Sequence, residues 1–199
     1  MLFPTVLALA FGETSCVKAF ILAIFIAELI GVPLKLLNSQ KNNNQSMQPR
    51  ERFLLVAVSW VIVSVIAALP FIFTGTISNP IDAFFEMCSG FSTTGASILT
   101  DLEALPKSLL MWRSTTQWLG GMGVIVLVMA LIPGFGAKAM NIASAETPGP
   151  TVSKLGARFS DTAQRLYLAY IALTALEIIF LLFGGLSPYD ATLHSLSTL

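Results

Sequence analysis

Between two long apolar runs the chain reads FSTTGAS, Phe91–Ser97, which sets the hydroxyls of Ser92, Thr93, Thr94 and Ser97 around the single glycine Gly95. Hydroxyl and backbone carbonyl oxygens can accept hydrogen bonds or face a cation, and a glycine admits backbone conformations closed to most residues. Such a segment suits either a tight packing turn between membrane helices or an oxygen lining for a polar passage. It does not suit hydrolysis. An intramembrane enzyme would need a nucleophile, a histidine and an acid, but the chain holds one histidine, His194, and neither HExxH nor GxSxG occurs. Cys16 and Cys88 fit no metal spacing and read as packing residues.

The solvent of the surrounding elements follows from composition. The chain is 55% hydrophobic and 11% charged, with a mean hydropathy of +0.78, against about 25% charged in soluble domains. It reads as an all-α integral membrane protein. Crossing a hydrocarbon core of about 30 Å takes roughly 20 apolar residues, and Val17–Leu37, Phe53–Phe73, Ser114–Phe135 and Leu166–Leu186 are long enough. Met1–Phe11 is too short to span, lacks a basic lead-in, and reads as the tail of a preceding helix. The formal net charge is zero, which gives no field for nucleic acid. Lys35, Lys41, Arg50 and Arg52, with Lys138, Lys154, Arg158 and Arg165, place two loops on the cytoplasmic side. The opposite face then carries Glu13, Asp82, Glu86, Asp101, Glu103 and Asp190, an acidic entrance that would concentrate cations.

The segment between Phe73 and Ser114 must begin and end on that outer face. Asn79 as cap, Pro80 at the first helical position, then Asp82 and Glu86 near the positive end of the dipole announce a helix over Pro80–Phe91. Twelve residues at 1.5 Å each reach about 18 Å, only part of a bilayer. The helix is therefore re-entrant, and STTGAS returns the chain. Non-helical backbone at membrane depth must be buried in protein or line water. The resulting unit is helix, pore loop, helix.

The unit recurs. Asn79-Pro80-Ile81-Asp82-Ala83 is echoed by Ser187-Pro188-Tyr189-Asp190-Ala191, each after a span whose ends match as FIFTG and LLFGG. Four parts follow: residues 1–52, preceding helices and a cytoplasmic loop; 53–135, a complete first repeat; 136–165, a cytoplasmic connection with a polar lead-in, Thr151–Arg165, that suits an interfacial helix; and 166–199, a second repeat that ends before its filter. Repeats of this kind enclose a transport site at their interface, and a secondary transporter with broken helices would share the re-entrant segment.

The motifs DAFFEMCSGFSTTGAS (Asp82–Ser97), QWLGGMGVIVL (Gln117–Leu127), ALIP (Ala130–Pro133), AETPGP (Ala145–Pro150) and DATLHSLSTL (Asp190–Leu199) occur in order. Together they resemble the potassium-translocating subunits of the Trk/Ktr/HKT superfamily, most closely the bacterial TrkH type. The resemblance implies four helix–pore loop–helix repeats around one pore and K⁺ as the transported ion, with no organic cofactor. Ser92, Thr93, Thr94 and Gly95 would be the first repeat's filter, binding K⁺ through backbone carbonyls. It further implies a multi-pass protein of the bacterial inner membrane, a homodimer and a cytoplasmic nucleotide-binding regulatory subunit. Ser92 stands where many relatives have threonine, a small departure if the backbone oxygen is the ligand.

Other polar residues receive plainer readings. Gly120, Gly121 and Gly123 pack helices closely beneath the filter. Arg113 snorkels at the outer interface. Glu28 and Glu177 are intramembrane acids expected to be held in buried hydrogen bonds, and His194 a satisfied polar group in the second re-entrant helix.

Overall fold

A computed structural model describes residues 1–39, 49–102, 104–123 and 152–199, and all regular structure among them is helical. The order is α1 (Leu2–Ala10), α2 (Thr14–Ser39), α3 (Pro49–Phe73), α4 (Pro80–Phe91), α5 (107–123), α6 (Val152–Phe183) and α7 (Pro188–Thr198). Three helices are long and apolar enough to cross a membrane, over Thr14–Pro33, Leu54–Phe73 and Gln164–Phe183. They coincide with three of the four expected spans. The fourth, Ser114–Phe135, is described only to residue 123, and its helix starts earlier, at 107. The ALIP and AETPGP motifs, and the basic residues Lys41 and Lys138, lie outside the described residues.

One expectation changes. Thr151–Arg165 is not a separate interfacial helix, because α6 runs unbroken from Val152 into the apolar span. No proline or positive-φ glycine interrupts it, so nothing in the backbone chemistry ends the helix at the polarity boundary.

Apolar side chains of α2, α3 and α6 such as Phe25, Leu29, Val61, Leu168 and Phe180 stay exposed, as lipid contact requires. The packed core lies between α2, α3 and α5. Phe20, Ala67, Phe71 and Trp112 are buried there, with Phe20 and Trp112 edge to face at 6.3 Å. The Trp112 indole donates to the Ala67 carbonyl at 3.0 Å, which satisfies its only polar atom. Farther along α5, Trp118 Nε1 donates to Thr174 Oγ1 at 3.0 Å, and the Tyr170 hydroxyl donates to the Trp118 carbonyl at 3.2 Å. These bonds dock α6 on α5.

The segments that follow α3 and α6 begin alike. α3 is followed by Gly75 at φ +74° and α6 by Gly185 at φ +90°, so each span turns through a left-handed glycine. Asn79 then caps α4 by accepting from Ile81 N at 3.0 Å, and Ser187 caps α7 by accepting from Asp190 N at 3.2 Å. Each short helix packs on the span before it.

A carboxylate from the α1–α2 turn caps α5. Glu13 accepts from Lys107 N at 2.8 Å, from Ser108 N at 3.1 Å and from the Ser108 hydroxyl. It thereby satisfies orphan donors at a helix N-terminus and complements the dipole. The Lys107 ammonium lies over the Phe11 and Tyr189 rings, at 4.8 and 5.5 Å from their centroids. The Tyr189 hydroxyl donates to the Lys107 carbonyl at 2.8 Å. Burial, reinforced by the charges of Glu13 and Asp190, pushes the Tyr189 phenol up to about 12, so it keeps its proton and remains a donor through the physiological range. Replacing Glu13 by Ala is expected to cost about 1–2 kcal/mol, the usual worth of a lost cap. Thermal unfolding of the intact protein in detergent would read this as a lowered midpoint, with Glu13→Gln recovering part of it.

Candidate functional site

The site is assembled from α4 outward. Its inner stripe of Ala83, Glu86, Met87 and Gly90 repeats at helical spacing and is buried. The helix ends in a Schellman motif. Thr93 N donates to Gly90 O at 3.0 Å and Thr94 N to Ser89 O at 3.1 Å, with Thr93 in the left-handed region at φ +55°. Glycine usually occupies that position, and a β-branched residue there costs about 1–2 kcal/mol in backbone strain. Gly95 follows at φ +73°. A Cβ on Gly95 would meet only ordinary contact, 3.7 Å from Gln117 Nε2, so conformation rather than space demands the glycine.

This geometry sorts the backbone of Ser92–Gly95 by polarity. The N–H groups of Ser92, Thr93 and Thr94 all turn back to α4 carbonyls. Among the described residues no donor takes the carbonyl oxygens of Ser92, Thr93, Thr94 or Gly95, and the strand is exposed on its open side. Left-handed residues thus stand at alternate positions, 93 and 95, which departs from a plain extended strand. Of the expected hydroxyl support, Ser92 Oγ lies 2.8 Å from Thr94 Oγ1 and donates weakly to Ser89 O at 3.3 Å.

Side chains on α4 hold the return. Ser89 Oγ donates to Ala96 O at 2.6 Å. Glu86 accepts from Ser97 Oγ at 2.9 Å and from Ile98 N at 3.0 Å. The same carboxylate pairs with Arg113 of α5, Nε to Oε1 at 2.5 Å.

Two sequence readings are thereby corrected. Glu86 is not an acid of the outer surface but 0% exposed, and Arg113 does not snorkel but is 8% exposed. A buried arginine beside a carboxylate is neutralised by it, which removes the need to reach water. Glu28 is exposed on α2 rather than held in a buried hydrogen bond, on a face with Ile21, Phe25 and Val32, which are exposed among the described residues. Glu177 is half-buried and accepts from Thr198 Oγ1 at 2.7 Å, and the His194 ring is exposed while its carbonyl accepts from Ser197 and Thr198. The glycines do pack closely. A Cβ on Gly120 would collide with the Phe91 carbonyl, one on Gly121 would lie 2.6 Å from the Tyr170 hydroxyl, and one on Gly123 would lie 3.0 Å from the Trp60 ring. The sequence signal that could have found Arg113 is its register: 113, 116, 117 and 120 form one helical face, and that face meets α4 and the strand.

A long apolar span, a capped helix too short to span, a non-helical return and a further helix packed against both define a pore-loop membrane protein. The family model for TrkH, described as a cation transport protein, matches residues 17–198. The chain belongs to this family. It is 39% identical over its whole length to the Trk system potassium uptake protein TrkH of Salmonella typhimurium, covering 41% of that relative. It is 38% identical to TrkH and 33% identical to TrkG of Escherichia coli K12, with 41% of each covered. The crystal structure of the potassium transporter TrkH from Vibrio parahaemolyticus superimposes with a TM-score of 0.77 at 29% identity, over 98% of this chain and 38% of that one. The chain thus spans about two fifths of the length of these relatives.

Proposed function

We propose that this chain contributes the first selectivity-filter strand of a bacterial potassium-uptake pore, in which K⁺ is the cargo and no covalent chemistry occurs. The observation that carries this reading is that, among the described residues, no donor takes the carbonyls of Ser92, Thr93, Thr94 or Gly95, in a segment set by the Schellman turn and by left-handed Thr93 and Gly95. Such oxygens can replace the water that K⁺ sheds on entering a narrow pore. The carbonyl end of α4 points the same way, and its dipole further favours a cation. Relatives named as potassium uptake proteins support the same cargo.

The further parts of the reading follow from it. Residues 53–135 form the first helix–pore loop–helix repeat, 166–199 begin the second, and other repeats complete the ring. The protein is multi-pass in the bacterial inner membrane, homodimeric, and regulated on its cytoplasmic face by a nucleotide-binding subunit. The basic loops Lys35–Arg52 and Lys138–Arg165 face that subunit.

The test is Gly95→Ser in the intact transporter, expressed in cells lacking their own potassium uptake. The hydroxymethyl group fits the space, but φ +73° is strained for it, so the carbonyls on either side are redirected. We expect K⁺ over Na⁺ discrimination to fall while the protein still reaches the membrane. Unchanged discrimination in a well-folded Gly95→Ser protein would overturn the assignment.

A further inference from the structure

The α5 face that meets the pore loop consists of Arg113, Thr116, Gln117 and Gly120, at i, i+3, i+4 and i+7. Three of the four have evident tasks. Arg113 pairs with Glu86, Thr116 packs against Gly90 with its hydroxyl donating to Arg113 O at 2.6 Å, and Gly120 makes room for the Phe91 carbonyl. Gln117 is the exception. It is 7% exposed, and its Oε1 is buried without a hydrogen-bond partner. Its amide also lies on the side of Gly95 where a side chain would project, with Nε2 3.7 Å from that Cβ position. It therefore stands behind the strand, away from the open side.

The strand has a matching deficit. N–H groups of Ser92, Thr93 and Thr94 are anchored in α4, but among the described residues those of Gly95 and Ala96 have no acceptor. Among the described residues the second half of the strand is tied at its far end, through the Ala96 carbonyl to Ser89 Oγ and through Ser97 Oγ and Ile98 N to Glu86, while Gly95 itself has no tie. A buried acceptor without a donor is costly, and the nearest backbone donors left unanchored among the described residues are those of Gly95 and Ala96. A half-turn of the amide brings Oε1 to the end that now faces Gly95, since the two ends of a glutamine amide are nearly the same shape.

We propose that Gln117 is a specificity-determining residue of the ion path, its amide accepting from the backbone N–H groups of the Gly95–Ala96 segment and holding the strand's carbonyls at a fixed distance from the ion. The proposal rests on the filter reading of Ser92–Gly95. A smaller ion is served only if the carbonyls close in on it, and a strand held from behind resists that movement. Loss of the amide frees the second half of the strand, so Na⁺ gains more than K⁺.

The experiment measures the ratio of K⁺ to Na⁺ uptake in the intact transporter for wild type, Gln117→Leu and Gly95→Ser, with membrane level followed separately. Leucine keeps the volume and removes the hydrogen bond. The expected result for Gln117→Leu is a ratio lowered about tenfold, as for one net hydrogen bond lost, at an unchanged membrane level. If Gly95→Ser lowers the ratio and Gln117→Leu leaves it at the wild-type value, the role of Gln117 is refuted while the filter stands. If neither variant moves the ratio, the filter reading fails and takes this one with it. Should Gln117→Leu not reach the membrane, Gln117→Asn is read by the same ratio. It retains the amide but withdraws it by one methylene, so a lowered ratio supports the proposal and an unaltered one overturns it.

Discussion

Arg113→Ala should leave the intact transporter unable to accumulate as a stable protein. The substitution strands the Glu86 carboxylate, 0% exposed, without its cation. Removing one partner of a buried pair costs about 3–5 kcal/mol, comparable with much of the stability of an ordinary domain. The damage would not stay at the pair, since Glu86 also accepts from Ser97 Oγ and Ile98 N. Its reorientation would release the return limb of the pore loop. Thermal unfolding and monodispersity in detergent would show a large loss for Arg113→Ala. Glu86→Gln should be milder, because an amide still offers an oxygen to Ser97 and Ile98. The double variant Glu86→Gln, Arg113→Met should be more stable than Arg113→Ala, since no charge is then buried alone. A wild-type unfolding midpoint for Arg113→Ala would show that the pair contributes nothing.

Gly120→Ala should also be strongly disruptive, against the trend of helix propensity. In a helix interior alanine is about 1 kcal/mol more favourable than glycine. Here the added methyl would collide with the Phe91 carbonyl, a backbone atom of the last residue of α4 before the strand. Backbone cannot swing aside as a side-chain tip can, so α5 must move outward or the strand must shift. Overpacking of this kind costs about 1–3 kcal/mol and outweighs the propensity gain. Gly121→Ala should be better tolerated, because its nearest contact is the Tyr170 hydroxyl at the end of a side chain. Gly31→Ala is the control: nothing lies within 4 Å of the new methyl, and stability should hold or rise. The readouts are unfolding midpoint and uptake rate. Equal behaviour of Gly120→Ala and Gly31→Ala would refute the close approach of α5 to α4.

Much of the architecture is legible in the chain because its signals are local. Apolar runs of about twenty residues announce spans wherever they occur, and Asn79-Pro80 or Ser187-Pro188 announces a helix start with its cap two or three residues away. Gly95 was readable as the permissive position for the same reason: a lone glycine among hydroxyl residues points to backbone demand. Thr93 was not, since a threonine at φ +55° contradicts the propensity of its own residue type. Only the hydrogen bonds of the α4 terminus compensate that strain.

The sequence by itself determined the solvent, three of the apolar spans, the short capped helix and the non-helical segment that follows it. Each depends on hydropathy, periodicity or capping within a few residues. The tertiary structure decided what holds that strand in place. Glu86 reaches Arg113 across 27 positions, and Glu13 caps Lys107 and Ser108 across 94 and 95. No local pattern distinguishes a carboxylate that will meet a buried arginine from one that will face water. The distinction arises only when α5 folds back along α4, because burial removes the water that would otherwise satisfy both charges and leaves each to serve as the other's counter-ion.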